Sequence, residues 1–348
     1  MQKRLIFFLL LLPFVSIGQY HITGKIIDSA TKAPVADASI FLSNASAGAK
    51  SNADGTFTIA NVRGGQYTLI ASVVGYNTYA QSVLVNKDID LKIISITKKN
   101  VMLKEVRIGP PRNWEKDYER FKSGFIGFSD NASNCTILNP HVLDFDSEDG
   151  VFTATAQDML IIENKALGYR IKYMLYAYKD DKKNGQLYYA GAAFFENMPG
   201  SDHQLKKWKR KRREAYLGSN MHFLRSVIQN RVKEEGFKVE RLIRKPNPAY
   251  NGFGNKYTAT LITTPIETSD YSRITDKKGE YALQFKDCMY VVYNDNQAIG
   301  STVTITSPYA YFDNNGIILN IQDVLMEGPW GDSRIPEMLP VDYEPDGK

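Results

Sequence analysis

The chain has 348 residues, enough for two or three domains with cores of their own and too many for one sandwich. Its 43 Lys and Arg against 38 Asp and Glu leave a formal net charge of +5, too mild to imply nucleic acid. An aromatic content of 12%, much of it tyrosine, suits folded strands and argues against disorder.

Residues 1–19 read as a secretory signal. Lys3 and Arg4 form the basic start, Leu5 to Ile17 is apolar apart from Pro13 and Ser16, and Ser16-Ile17-Gly18 supplies small residues before a cut near Gly18 or Gln19. The 13-residue run is shorter than the roughly 17 to 25 residues of a membrane-spanning helix. A lipoprotein signal would put a Cys after the cut, and none stands there. The mature chain, with 41 basic and 38 acidic residues, is therefore expected to be exported, in the periplasm or associated with the outer membrane.

Short Val/Ile/Tyr/Thr-rich runs follow, at His21 to Ile27, Ala38 to Leu42, Thr56 to Ile59, Gln66 to Val74, Tyr79 to Val85 and Leu91 to Ile96. Turn residues separate them. Asp54-Gly55 and Gly64-Gly65 are expected hairpins, and Gly75 breaks the chain before Tyr76. Tyr67, Leu69, Ala71 and Val73 alternate with Thr68 and Ser72, which predicts one buried and one wet face. Such spacing without a helical period favours a two-sheet sandwich.

The order Gly24-Lys25-Ile26, Pro34-Val35-Ala36-Asp37-Ala38, Asp54-Gly55-Thr56-Phe57, Gly65-Gln66-Tyr67-Thr68-Leu69 and Gly75-Tyr76 resembles the carboxypeptidase regulatory-like domain, a transthyretin-like sandwich. Leu103-Lys104-Glu105-Val106-Arg107-Ile108 is similar to the segment after this domain in outer-membrane nutrient receptors. The resemblance covers residues 20–108, about a quarter of the chain. It implies an accessory module without catalytic residues, hence no peptidase.

Gly109-Pro110-Pro111 makes a stiff break, so residues 109–113 are read as a linker and 114–348 as a second domain. Trp114, Tyr118 and Phe121 stand at helical spacing. Strands are expected at Thr136 to Leu138, Val142 to Phe145, Val151 to Ala156, Leu160 to Glu163 and Tyr169 to Tyr178. More are expected at Lys256 to Thr263, Tyr281 to Phe285, Met289 to Tyr293, Ser301 to Thr306 and Ile317 to Ile321.

Between the two sets one long helix is expected over about 202–235. Ser201 and Gln204 form a capping box, Leu217, Met221, Leu224, Ile228 and Val232 a stripe, and Gly236 a stop, with Gly218-Ser219 a point where it could split. The expected fold class is mainly β with α, α+β overall: an Ig/transthyretin-like sandwich followed by a mixed, mostly antiparallel β domain. Phe125-Ile126-Gly127, Cys135 to Pro140, Ile162 to Tyr169 and Tyr216 to Ser219 also resemble a region, without assigned activity, that often follows the regulatory-like domain in exported bacterial proteins.

Lys206, Lys207, Lys209, Arg210, Lys211, Arg212 and Arg213 surround Trp208, placing seven basic residues in eight. Two readings stand open. The run is a solvated helix start whose long side chains lie over a sheet and pair with nearby carboxylates, or it docks to lipid phosphates or acidic glycans with Trp208 as anchor. Cys135 and Cys288 are either a disulfide or two separate buried thiols.

No other constellation gathers. His21, His141, His203 and His222 lack zinc-peptidase spacing, no Gly-x-Ser-x-Gly elbow occurs, and two Ser-x-x-Lys matches lack partners. Asn251 to Lys256 lacks phosphate-loop spacing and reads as a turn. Asp144, Asp146, Glu148 and Asp149 precede Gly150, but Asp149 stands where a calcium loop requires glycine. Glu163 has no second carboxylate that spacing can place beside it.

Together these readings predict a non-catalytic exported envelope protein without cofactor, acting as a binding module for protein, glycan or an anionic surface and not for nucleic acid. The alternative is a hydrolase of peptide or glycan with its site in residues 114–348.

Overall fold

A computed structural model of the chain describes residues 19–99, 113–251 and 254–345. The signal segment up to residue 18, the receptor-like Leu103 to Ile108 segment, most of the expected linker, and Gly252 and Phe253 lie outside the described residues.

Seven strands form the sandwich: β1 (Gln19–Asp28), β2 (Ser39–Leu42), β3 (Gly48–Lys50), β4 (Thr56–Arg63), β5 (Gly65–Ser72), β6 (Tyr79–Val85) and β7 (Ile89–Ile96). One sheet runs β4-β1-β7 and the other β3-β2-β5-β6. Alternation along the strands brings Ile22, Ile26, Phe57 and Ile59 from the first sheet against Ile40, Leu42, Leu69 and Ala71 from the second.

The two expected hairpins are something else. β3 pairs with β2 and β4 with β1, so Asp54-Gly55 carries the chain from one sheet to the other, and Gly64-Gly65 carries it back. Glycine is still required at 55: φ is +80° and a Cβ would collide with the Ile26 carbonyl.

Helix α1 (Trp114–Phe125) begins the second part, capped by Asn113, whose side chain accepts from the Lys116 amide. It buries Phe121 and Phe125 against a six-stranded antiparallel sheet of β8 (Cys135–Ile137), β9 (Leu143–Glu148), β10 (Val151–Ala156), β11 (Leu160–Asn164), β12 (Tyr169–Asp181) and β13 (Gln186–Asn197). β12 is the spine, pairing with β10, β11 and β13. Asp149 (φ +52°) and Gly150 (φ +83°) make the two-residue turn between β9 and β10.

The long helix expected over 202–235 is two helices, α2 (Asp202–Tyr216) and α3 (Asn220–Ile228). Gly218, at φ +78°, stops the first, and Ser219 caps the second by accepting from the His222 amide. The apolar stripe continues through this break, which is why it reads as one element.

β14 (Phe237–Pro246) and β15 (Tyr257–Pro265) form a hairpin at the edge of a five-stranded sheet, ordered β15-β14-β18-β19-β21. The other members are β18 (Cys288–Tyr293), β19 (Ser301–Ile305) and β21 (Val324–Glu327). A three-stranded sheet of β16 (Ser272–Ile274), β17 (Glu280–Leu283) and β20 (Ala310–Asp313) closes over the same core as α3. Residues 317–321 are not the expected strand: Ile318 bridges Phe312 at one position only. The fold is thus mostly β and largely antiparallel, with few helices.

The sandwich face expected to be wet is partly covered. Phe41 and Ile70 lie against Ala192 of β13. The Asn44 amide donates to the Ala193 carbonyl at 2.7 Å, and the Phe195 amide donates to Ala45 at 3.0 Å. The C-terminal strap adds Asp342, which accepts from the Ser46 amide and hydroxyl, while Asn315 donates to the Gln66 carbonyl.

Candidate functional site

The basic run lies on α2, and the structure gives it two unlike sides. Trp208 points inward. It is 6% exposed, its indole N–H donates to the Lys165 carbonyl at 2.9 Å, and it lies against Gly168 and Gly200. Arg212, one turn on, donates to the Leu167 and Gly168 carbonyls at 2.7 and 3.0 Å and lies 3.7 Å above the Tyr169 ring. Trp208 is therefore a clamp on the turn between β11 and β12, and the reading of it as a surface anchor is corrected.

That turn explains one of the sequence motifs. Asn164 is fully buried, accepts from the Leu167 amide and donates to the Pro336 carbonyl. Gly168 takes φ +71° where a Cβ would strike the indole. On the opposite side of α2, Lys206, Arg210 and Arg213 are exposed, as the helical period requires, and Lys207, about a quarter turn from Trp208, is exposed too. Lys209 is exposed as well, Lys211 is half-buried, and both Arg210 and Lys211 reach Glu214, at 3.6 and 2.9 Å.

The two cysteines are free. Cys135 sits in the six-stranded sheet and Cys288 in the five-stranded one, each buried, so the structure has two separate thiols and no disulfide. Burial pushes the Cys135 thiol up to about 12, and the Glu337 charge adds to the shift.

The remaining polar candidates stay apart. His21 is at the start of the sandwich, His141 stacks on Trp114, His203 is exposed on α2, and His222 is buried beside Glu235 with its Nδ1 accepting from the Gly218 amide. Glu163 is held below the usual carboxylate range by Arg170 and then Lys165, the wrong direction for a general acid. Asp144 accepts from Gln157, and Asp146 binds the Ser147 amide. Among the described residues no cluster of three or more His, Cys, Asp or Glu could hold a metal ion.

A cleft of about 1230 Å³ lies between the six-stranded and five-stranded sheets. β13 contributes Gln186, Tyr188 and Tyr189, β15 contributes Tyr257, and the segment after β20 contributes Gln322 and Trp330. Trp330 is set by its N–H, which donates to the Gly218 carbonyl at 2.8 Å, and by packing on Phe223. Lys256 and Asp332 also line the wall, and four of its other ionic groups are tied down. Arg244 meets Glu327 at 2.5 Å, and Arg334 donates to the Gly124 carbonyl at 2.9 Å. Glu337 accepts from the Ser129 hydroxyl and the Arg334 amide.

Sequence reasoning missed this cleft because β13, β14 and β21 were not foreseen. In β13 the Tyr188-Tyr189 pair is followed by Ala190-Gly191-Ala192-Ala193, whose small side chains hide the alternation. The run Leu187-Tyr188-Tyr189 through Phe194-Phe195 was the available signal, aromatic-rich and of strand length.

Residues 22–108 match the family model of the CarboxypepD_reg-like domain, so the resemblance drawn from the motifs is borne out over those residues. No curated protein matches the chain. Among solved structures the chain is similar to an interface mutant of a type II cohesin–X-dockerin complex from Acetivibrio cellulolyticus. Identity there is 23%, over 23% of this chain and 58% of that one, with a TM-score of 0.21. It is also similar to the pilus 2b backbone protein of group B streptococcus, at 22% identity over 23% of this chain and 42% of that one, with a TM-score of 0.20. A DUF3823 family protein from Bacteroides uniformis matches at 9% identity over 89% of this chain and 96% of that one, with a TM-score of 0.18. The chain thus spans less than two thirds of the first two, and scores this low carry no weight for function.

Proposed function

We propose that this chain is an exported, non-catalytic binding protein of the cell envelope whose cleft between the two C-terminal sheets holds a glycan chain. The observation that supports this reading is the cleft's lining. Aromatic rings of Tyr188, Tyr257 and Trp330 stand beside the amides of Gln186 and Gln322, the combination that stacks on sugar rings and exchanges hydrogen bonds with hydroxyls.

The same wall speaks against hydrolysis. Of the three carboxylates that line it, Glu327 is held in its ion pair with Arg244 and Glu337 by Ser129 and a backbone amide, so two of the three are engaged and Asp332 stands without a second free one. A glycosidase needs two carboxylates facing one bond, one of them free to give its proton. Export rests on the basic and apolar residues at the start of the sequence. The sandwich of residues 22–108 serves in this reading as the accessory module its family match implies.

The test is calorimetry and a glycan array with the purified chain, on oligosaccharides released from its own envelope. Saturable binding, weakened about tenfold or more by Tyr257→Ala or Tyr188→Ala without change in the oligosaccharide, supports the reading. Release of shortened products, or no glycan bound, overturns it.

A further inference from the structure

The cleft is not built by the two C-terminal sheets alone. Asn44, in the turn between β2 and β3 of the sandwich, also lines it. This residue takes φ +60°, a left-handed conformation that asparagine tolerates better than most side chains. Its amide donates to the Ala193 carbonyl at 2.7 Å, and its Oδ1 accepts from the Ala193 amide at 3.1 Å. Its own carbonyl accepts from the Val341 amide at 2.6 Å. The turn therefore forms one more rung on the outer margin of β13, continued by a parallel bridge between Ala45 and Phe194. Ala193 stands across from Tyr173 in the pairing of β13 with β12, and Tyr173 lines the cleft too. Ile317, another residue of the wall, packs on both the sandwich core and the core under the six-stranded sheet, so wall and joint are one surface.

The two ends of the Asn44 carboxamide have different surroundings. Oδ1 is held by the Ala193 amide, which fixes the orientation of the group, since a flip would set N–H against N–H. Nδ2 then carries two hydrogens with no acceptor among the described residues, on a half-buried residue of the cleft wall. We propose that this amide is a contact of the glycan site, so that the sandwich is part of the binding surface and not only an accessory to it. The proposal rests on the reading of the cleft as a glycan site. A carboxamide held in this way donates to a sugar hydroxyl or ring oxygen at little cost in side-chain freedom, because folding has already fixed it.

The test uses the full purified chain and the envelope oligosaccharides that saturate it. Asn44→Asp keeps an acceptor for the Ala193 amide and a side chain that tolerates left-handed backbone, and removes the donor. Asn44→Gly keeps the conformation and removes the side chain without adding a charge. Both are expected to weaken glycan binding about three- to tenfold, the worth of one hydrogen bond, while Asn44→Asp melts as wild type does. A second readout is one that a purely structural role would not move. The Asn44 side-chain amide signals in a nitrogen-correlated NMR spectrum, assigned by their loss in Asn44→Asp, are expected to shift as the glycan is added. Wild-type affinity in both variants, or signals that stay still while the glycan binds, overturns the proposal and leaves the cleft reading standing. So does a loss of affinity matched by earlier melting in both variants, since Asn44 would then act through the joint. Absence of glycan binding by wild type overturns both.

Discussion

Gly168 packs against the indole of Trp208 with its backbone at φ +71°, and a side chain there would collide with the ring. Gly200 approaches the same ring from the other end, where a Cβ would stand 2.7 Å from Trp208. Two glycines so placed mean that the indole is gripped by backbone, and the strength of that grip can be measured. Gly168→Ala is expected to cost about 2–5 kcal/mol, combining about 1–2 for an L residue in left-handed geometry with about 1–3 for overpacking. Trp208→Ala is expected to cost about 3–5 kcal/mol through the cavity and the orphaned Lys165 carbonyl. Urea unfolding reads both. A Trp208→Ala loss below about 1 kcal/mol would mean that the ring is a surface group after all.

How much of this was legible in the sequence follows from where the physics is local. The sandwich strands were readable because alternation and turn glycines act within a few residues; the pairing of those strands into two sheets was not, since a turn between paired and unpaired strands uses the same residues. On α2 the orientation was present but overlooked. Trp208, Arg212, Ala215 and Tyr216 recur at spacings of three and four, which marks an inward stripe inside a basic run. What no local pattern carries is the strap of residues 335–345 crossing the sandwich, because its hydrogen bonds span hundreds of positions.

Arg225 is the residue that holds this strap. From α3 its guanidinium donates to three carbonyls, those of Asn315, Val341 and Tyr343, at 2.9, 2.7 and 2.9 Å. Arg225→Ala leaves three acceptors without their charged donor and is expected to destabilise by about 2–4 kcal/mol. Arg225→Lys keeps the charge but loses the fork, so little is recovered. Hydrogen exchange should speed up at residues 341–345 before the rest of the chain responds. Equal acceleration everywhere would show that the strap is not a separable unit.

The two thiols give a chemical test of the fold. Both are buried, and the Cys135 thiol is pushed up to about 12, so almost none of it is thiolate near neutral pH. Iodoacetamide at pH 8 is expected to leave Cys135 unmodified in the native chain and to alkylate both cysteines in urea without a reductant. An intact mass two hydrogens short, with alkylation only after reduction, would mean that the thiols are joined.

Acid should loosen the sandwich at Asp28. Its carboxylate accepts from the Thr31 amide at 2.8 Å, the Tyr76 hydroxyl at 2.9 Å and the Ala30 amide at 2.9 Å. Those donors favour the charged form and hold its pKa at about 2, against an ordinary 3.8. Because the folded value lies below the unfolded one, the folded state binds the proton less readily. The stabilisation is complete above pH 3.8 and is lost as the pH falls through about 2. Asp28→Asn removes the titrating group, so its stability should be lower than wild type near neutral pH and should converge on it in acid. Tyr76→Phe should shorten the same window by raising the Asp28 value. Parallel wild-type and Asp28→Asn stability curves from pH 5 to pH 2 would show that this carboxylate does not couple protonation to folding.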